Sequence, residues 1–218
     1  PVITGSTRAA QEDTTKPGTP ELDTKKALSV LIHGDAAFAG EGIVQETFNY
    51  AYTEGFTTGG SIHIISNNMI GFTTEHYDSR STHYSSDVAK GYGIPIIHVN
   101  ADDPEAVIAV AKFAHEYRQT FGKDILIDLI GYRRYGHNET DDPTVTNPKT
   151  YLIVAKHPTV RELYGERLVN EGIVTKEEVE KLDKDIYAEM QASYDHVKEV
   201  GAEKGNVEVK IPEEVLNP

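Results

Sequence analysis

Four short apolar runs, rich in isoleucine, valine and leucine, divide the first 130 residues of this 218-residue chain. They cover residues 28–32, 61–66, 94–99 and 125–130. Nearly continuous apolar runs of this length are typical of strands that are buried on both faces of a parallel sheet. Helical patterns follow the first and third runs. The sequence therefore predicts an α/β fold, with a parallel sheet flanked by helices.

Three helices are predicted from periodicity and end signals. Residues 41–54 carry apolar side chains at three- and four-residue spacings and are followed by a glycine stop. Asp103 and Pro104 are residue types preferred at a helix cap and first turn, and they predict a helix that runs to about residue 120. Thr175 and Glu178 have the spacing of a capping box, which predicts a helix to about residue 200.

The segments outside the α/β pattern differ in character. Residues 1–26 are rich in threonine, glycine and proline without a sustained period, which indicates an exposed lead-in segment. Residues 67–93 are also aperiodic, and a loop of that length inside a compact domain is usually functional. We therefore expect an α/β domain at 27–150 and a helical extension at 151–218.

Composition excludes several classes of protein. The net charge of −14, without a cluster of basic residues, argues against a nucleic-acid or anionic-membrane surface. The absence of cysteine excludes disulfides and thiolate metal sites. No apolar run approaches the roughly 18 residues of a membrane span, and no signal-peptide pattern is present, which favours a soluble intracellular protein. The first residue is Pro1 rather than methionine, as expected for a piece of a longer polypeptide.

Polar residues follow three of the predicted strands. Asp35 follows the first strand, Asn68 follows the second, and the polar segment 131–142 follows the fourth. Ligands of parallel sheets bind beyond the carboxyl ends of the strands. A carboxylate and a carboxamide are oxygen ligands that suit Mg²⁺, which usually keeps other positions for phosphates. These residues therefore predict a Mg²⁺–diphosphate site.

Neighbouring residues fit the same site. Ala36 and Ala37 are small enough for their amides to approach a phosphate, and the helix predicted near residue 41 would add its positive dipole end. An irregular turn after Asn68 could offer the backbone carbonyl of Ile70 as a third ligand. The alternative remains open from the pattern alone, because aspartate after glycine often forms a turn and paired asparagines often simply end a strand.

The nine histidines do not indicate a zinc site. None has a histidine partner three or four residues away, and neither a His-Glu-x-x-His motif nor a cysteine is present. His33 adjoins the predicted Mg²⁺ turn, and a hydrogen-bonded structural role is the favoured interpretation there.

Longer motifs support the interpretation of a Mg²⁺–diphosphate site. Gly34-Asp35 followed by Asn67-Asn68 resembles the thiamine-diphosphate fingerprint, with Ala36 in place of the usual third glycine. The segments HGDAAFAGEGIVQET, NNMIGFTT, DSRST, HVNADDPEA and YRRYGHNE closely resemble, in the same order, the decarboxylating components of 2-oxoglutarate dehydrogenases. The resemblance covers nearly the whole chain and is weakest before residue 27 and after about residue 200.

The resemblance implies oxidative decarboxylation of 2-oxoglutarate with Mg²⁺ and thiamine diphosphate, and transfer of the succinyl group to the lipoyl group of a dihydrolipoyl succinyltransferase. At matching positions, Asp35, Asn68 and the Ile70 carbonyl would hold Mg²⁺, while Ala36 and Ala37 would line the diphosphate. The resemblance also implies that the enzyme is a homodimer. It would act in the tricarboxylic acid cycle, in the bacterial cytoplasm or the mitochondrial matrix. A 2-oxoadipate dehydrogenase and a mainly structural dimerisation module remain alternatives.

Two loops carry further candidates. His137 is the predicted catalytic residue, which would orient substrate or intermediate, with loop stabilisation as the alternative. Arg133 and Arg134 could clamp carboxylates, but pairing with nearby acidic residues is favoured. Arg80 would anchor the 67–93 loop unless it is merely solvated. In this class a glutamate of a separate pyrimidine-binding domain activates the cofactor, and we expect that domain outside this chain, which should be inactive alone.

Overall fold

The computed structural model describes residues 1–204, which form two compact units, one from Pro1 to Tyr164 and one from Gly165 onward. The strands are β1 (Glu12–Asp13), β2 (Glu21–Leu22), β3 (Val30–Gly34), β4 (Ile62–Asn67), β5 (Ile70–Gly71), β6 (Thr74–Glu75), β7 (Ile96–Asn100) and β8 (Ile125–Ile130). The helices are α1 (Val2–Gln11), α2 (Asp35–Gly40), α3 (Ile43–Tyr50), α4 (His76–Ser79), a 3-10 helix (Ser85–Tyr92), α5 (Pro104–Phe121), α6 (Pro143–Thr146), α7 (Pro148–Val154), α8 (Val160–Asn170) and α9 (Lys176–Lys204).

The first unit is built on a four-stranded parallel sheet in the order β3-β4-β8-β7. The predicted α/β fold is therefore confirmed, and the fourth predicted strand has the bounds of β8. Because every strand runs in the same direction, the segments after β3, β4 and β8 leave the sheet at one edge. That edge is the place where ligand sites of parallel sheets lie.

Each face of the sheet has its own apolar core. On one face, Phe38 of α2 and Phe48 of α3 pack with Ile65 and Leu126 of the two central strands. On the other face, Ala114 of α5 packs against Ile62, Ile125, Ile127 and Val99. The edge strand β3 is less well covered on the α5 face, where Val30 is 49% exposed and Ile32 is 73% exposed.

Most residues of the lead-in segment predicted at 1–26 are exposed, but the segment has regular secondary structure. The segment contains α1 and the β1–β2 hairpin, and Gln11 is buried. Its side-chain amide donates to the carbonyls of Thr24, Ala27 and Thr58. These hydrogen bonds to distant backbone carbonyls hold the end of α1 in place.

The helix predicted at 41–54 is also wrong in its bounds. The chain becomes helical directly at Asp35, and α2 and α3 are separated at Gly42, whose φ is +76°. Gly42 favours this break because glycine adopts a left-handed backbone conformation without steric cost. The aperiodic stretch 67–93 contains the β5–β6 hairpin, α4 and the 3-10 helix.

The second unit is helical, as predicted for the extension. The Thr175 N–H donates to Glu178 Oε2 at 2.8 Å, and the Glu178 N–H donates to Thr175 Oγ1 at 3.2 Å, which confirms the capping box of α9. The predicted boundary at residue 150 lies inside α7, whereas the first compact unit extends to Tyr164. Within the part of the chain that the structure describes, no helix is long and apolar enough to cross a membrane. The predicted extension beyond residue 204 lies outside the described residues.

Two buried titratable groups, Asp124 and His63, have pKa shifts that change the stability of the fold in opposite directions as the pH falls. Asp124 lies just before β8, accepts the Ser61 N–H at 2.6 Å, and has its pKa raised to about 6 by burial. His63 lies in β4, and burial lowers its pKa to about 3. Its ring stacks on His33, whose Nε2 lies 3.1 Å from His63 Nδ1, so the predicted structural role of His33 is confirmed.

Asp124→Asn is expected to make the chain more acid-sensitive between pH 6 and pH 4. The raised pKa of Asp124 gives stability that is present below its unfolded pKa of 3.8 and is lost as the pH rises to about 6. The lowered pKa of His63 gives stability that is present above 6.5 and is lost as the pH falls toward 3. In the variant the opposing effect of Asp124 is absent, and the His63 effect lowers the unfolding free energy by about 1.4 kcal/mol per pH unit as the pH falls.

Urea unfolding at several pH values measures this difference. Asp23→Asn changes an exposed carboxylate and serves as the matched control, with the pH profile of the wild type. If the free energy of unfolding of Asp124→Asn depends on pH as that of the wild type does, Asp124 does not offset the effect of His63.

Candidate functional site

Asp35 is the first residue of α2 and lies immediately beyond the carboxyl end of β3. Its side chain is only 4% exposed, and the backbone N–H of Asn68 lies near enough to its carboxylate to favour the charged form. Burial raises the pKa of this carboxyl group, while the nearby Arg80 guanidinium opposes the rise. A desolvated carboxylate of this kind gains strongly from a bound cation.

The irregular turn predicted after Asn68 is present. Met69 has a φ of +61° and Phe72 a φ of +53°, both in the left-handed region. The Asn67 side chain accepts the Met69 N–H at 3.0 Å, and the Asn68 side chain accepts the Ile70 N–H at 3.2 Å. Asparagine side chains commonly stabilise turns in this way. The turn leads directly into β5, where Ile70 is buried.

The turn after β3 and the hairpin after β4 meet at Gly71. A Cβ atom added to Gly71 would lie 2.8 Å from the Ala36 Cβ, closer than normal van der Waals contact. Glycine is therefore required for this approach of the β5–β6 hairpin to α2. Ala36 and Ala37 are exposed, so their backbones remain accessible to a ligand.

Asp128 is the centre of a buried polar network near the carboxyl ends of the strands. It lies in the central strand β8, is fully buried, and accepts hydrogen bonds from Asn67 Nδ2 and Ser86 Oγ, both at 2.9 Å. His98 Nδ1 of β7 lies 3.0 Å from the same carboxylate. One side chain thus links β4, β7, β8 and the 3-10 helix directly beneath the Asn67-Asn68 turn.

Arg80 anchors the segment between β6 and the 3-10 helix, as predicted. Its side chain is 6% exposed, Nη1 lies 3.5 Å from Asp35 Oδ2, and Nη2 lies 3.4 Å from the His83 carbonyl oxygen. The alternative of a solvated side chain is wrong. The arginine contacts the carboxylate that the sequence assigns to the metal.

The polar loop after β8 packs on the β5–β6 hairpin. Arg133 Nη2 donates to the Phe72 carbonyl at 2.8 Å and lies 3.7 Å from Asp141 Oδ2, so the favoured acidic pairing is confirmed for Arg133. The His137 side chain is exposed, and its ring lies 5.1 Å from the Phe72 ring. The His137 N–H donates to Asp141 at 2.8 Å, which fixes the backbone of the loop.

Arg134 behaves differently from Arg133. Its Nη2 donates to the His157 carbonyl at 2.9 Å and to the Tyr132 hydroxyl, so the acidic pairing predicted for it is wrong. Arg134 also lines a cleft of about 320 Å³ that opens at the carboxyl ends of β4 and β8. Asn67, Asn68 and Leu129 contribute to the same cleft.

The oxygen donors at this edge are of the chemical type that magnesium prefers. Within residues 1–204, no group of three or more histidine, cysteine, aspartate or glutamate side chains could hold a metal. A cation here would instead be held by the Asp35 carboxylate, the Asn68 carboxamide and the Ile70 carbonyl, on two turns that touch. One carboxylate with neutral oxygens and positions left for phosphate is the type of site that Mg²⁺ favours.

Sequence comparison assigns the family. The dehydrogenase E1 component family matches residues 1–205. This chain belongs to that family. The 2-oxoglutarate dehydrogenase E1 component of Geobacillus sp. strain WCH70 is 58% identical over 197 residues, which are 90% of this chain and 21% of that protein. The protein of the same name from Bacillus subtilis strain 168 is 57% identical over 217 residues, which are 100% of this chain and 23% of that protein.

The E1 chain therefore spans between a fifth and a quarter of the length of these relatives. The family confirms the resemblance that the motifs indicated.

Two structural elements near this site are not predicted from the sequence. Asp128 was assigned only to a strand, although an aspartate inside an otherwise apolar run is a signal of a buried polar centre. The contact of Phe72 with the loop after β8 was also missed, because it depends on a left-handed residue that nothing in the sequence marks.

Proposed function

We propose that this chain is the Mg²⁺- and diphosphate-binding part of a thiamine-diphosphate-dependent 2-oxoglutarate dehydrogenase E1 component. The buried carboxylate of Asp35, beside the turn that begins at Asn68, is the observation that carries the proposal. Residues 27–150 hold the site. The names of the relatives favour 2-oxoglutarate over 2-oxoadipate as substrate.

Each residue at the site has a distinct proposed role. Asp35, Asn68 and the Ile70 carbonyl hold Mg²⁺, and the exposed backbone at Ala36 and Ala37 lines the diphosphate. Bound thiamine diphosphate supplies the stabilisation of a carbanion, while the protein binds, orients and excludes water. His137, on the exposed loop beside Phe72, orients the substrate or the intermediate as the catalytic residue of this segment.

The proposed protein works within an assembly. It forms a homodimer and delivers its succinyl group to the lipoyl group of a dihydrolipoyl succinyltransferase, in the tricarboxylic acid cycle of the bacterial cytoplasm. The close relationship to E1 components of Geobacillus and Bacillus supports this placement.

Asp35→Asn is expected to weaken the Mg²⁺-dependent binding of thiamine diphosphate by at least about 100-fold. The variant keeps the size of the side chain but replaces the only carboxylate of the proposed metal ligands. Loss of residues that merely support a metal ligand already costs roughly 10- to 100-fold, so loss of a ligand should cost more. Calorimetric titration of the complete polypeptide that carries this chain measures the effect.

Asp78→Asn provides the matched control, because Asp78 is an exposed carboxylate of α4, outside the proposed ligand set. Its affinity for the cofactor should equal that of the wild type. Unchanged affinity in a folded Asp35→Asn variant would contradict the metal assignment. A cofactor-independent dimer that binds no thiamine diphosphate would instead favour the dimerisation module.

A further inference from the structure

The guanidinium of Arg80 lacks sufficient acceptors for a buried group. Its two hydrogen bonds, at 3.5 Å to Asp35 and 3.4 Å to the His83 carbonyl, lie beyond the usual range of about 2.7–3.2 Å. Its Nε is buried without a hydrogen-bond partner. Buried polar groups in proteins are rarely left unsatisfied, and an exception calls for a missing acceptor.

Arg80 and a metal ion would compete for the same carboxylate. The guanidinium faces Asp35 Oδ2, and the side chains of this pair are only 6% and 4% exposed. If Mg²⁺ binds Asp35 Oδ2, the oxygen that Arg80 faces, Arg80 loses the only acidic group with which it makes an ion pair in residues 1–204. A buried charge without a counter-ion costs several kcal/mol. A second anion would therefore stabilise the buried guanidinium once a metal ion occupies Asp35.

We infer that Arg80 is a diphosphate ligand that pairs with Asp35 in the metal-free protein and transfers to the phosphate oxygens when Mg²⁺ binds Asp35. This inference rests on the proposed function. The planar fork of arginine matches a phosphate with two parallel hydrogen bonds. The diphosphate also carries more negative charge than Mg²⁺ neutralises while bound to a carboxylate, so a further cation beside it would be stabilising.

The exchange makes two predictions of opposite sign for Arg80→Ala. Removal of the guanidinium should weaken the binding of inorganic pyrophosphate with Mg²⁺ by roughly 10- to 100-fold, the loss expected for a hydrogen bond between charged groups. The same variant should bind Mn²⁺ alone more tightly than the wild type, because the competing cation is gone. Arg80→Lys should bind pyrophosphate with intermediate affinity, because it keeps the charge but lacks the fork.

The complete polypeptide, freed of cofactor, is used for both measurements. Calorimetry reports pyrophosphate binding, and electron paramagnetic resonance of free Mn²⁺ reports metal binding. Lys90→Ala is the matched control, since Lys90 is an exposed cation of the adjacent 3-10 helix that pairs with Asp87. Its affinities should remain those of the wild type.

The outcomes separate this inference from the proposed function. If the wild type binds neither Mn²⁺ nor pyrophosphate with Mg²⁺, the proposed function itself fails. If Asp35→Asn loses Mn²⁺ binding but Arg80→Ala keeps pyrophosphate affinity within about twofold of the wild type, only the role of Arg80 is overturned. If Arg80→Ala does not fold, Arg80→Lys decides: pyrophosphate affinity equal to that of the wild type overturns the inference.

Discussion

Asp128→Ala is expected to lower the free energy of unfolding by about 3–5 kcal/mol, the usual cost of breaking a buried network of charged and polar groups. The carboxylate is fully buried and accepts from Asn67 and Ser86, with His98 at 3.0 Å. Alanine leaves these donors without an acceptor in the interior. Urea unfolding at neutral pH measures the loss.

Two further variants make the Asp128 result specific. Asp102→Ala removes a carboxylate that also pairs with a histidine, His157, but whose side chain is 22% exposed, so its loss should cost about 1 kcal/mol or less. Asp128→Asn keeps an oxygen acceptor for the Asn67 amide and should be milder than alanine. Equal effects of Asp128→Ala and Asp102→Ala would contradict the central role of Asp128.

Gly60→Ala is expected to destabilise the chain by about 2–5 kcal/mol, from backbone strain and overpacking together. Gly60 has a φ of +86°, and an added Cβ would lie 2.3 Å from the carbonyl carbon and oxygen of Lys123. Backbone on both sides prevents relief by a side-chain rotation. The Gly60 carbonyl also accepts from buried Arg118 at 3.0 Å, so a shift of this residue would disturb that bond.

Gly55→Ala is the matched control for Gly60, because no atom lies within 4 Å of the added Cβ. Its effect on the free energy of unfolding should stay within about 0.5 kcal/mol. A fully folded Gly60→Ala with wild-type stability would show that the Lys123 backbone can move away at little cost.

The parallel sheet could be predicted because its strands are nearly continuous apolar runs. Ile125–Ile130 illustrates this, since its burial on both faces leaves a plain signal in the sequence. Helix α1 is not predicted, and polar contacts such as those of Gln11 with distant carbonyls help to hold it. Such contacts have no period along the chain. The division between α2 and α3 depends on Gly42, and a single glycine inside an apolar pattern does not reveal whether a helix continues.

At the site, the residue types were predictable but the partners were not. Asp35 and Asn68 follow strands, and parallel topology alone brings their segments to one edge. The approach of Arg80 to Asp35 joins residues 45 positions apart through a loop without a repeating pattern. His137 stays a prediction, because its side chain is exposed and its contact with Phe72 is compatible with either proposed role.

The position of β3 has a practical consequence for work on this segment. Among the described residues, β3 pairs only with β4, so its outer row of backbone N–H and C=O groups has no strand partner. Exposed Val30 and Ile32 make that row more attractive to another extended chain. Open apolar edges of this kind template edge-to-edge aggregation. The strand that precedes Asp35 of the proposed metal site is therefore also a strand able to recruit a foreign strand. Charged substitutions at Val30 or Ile32 are the first choice for keeping the isolated segment in solution.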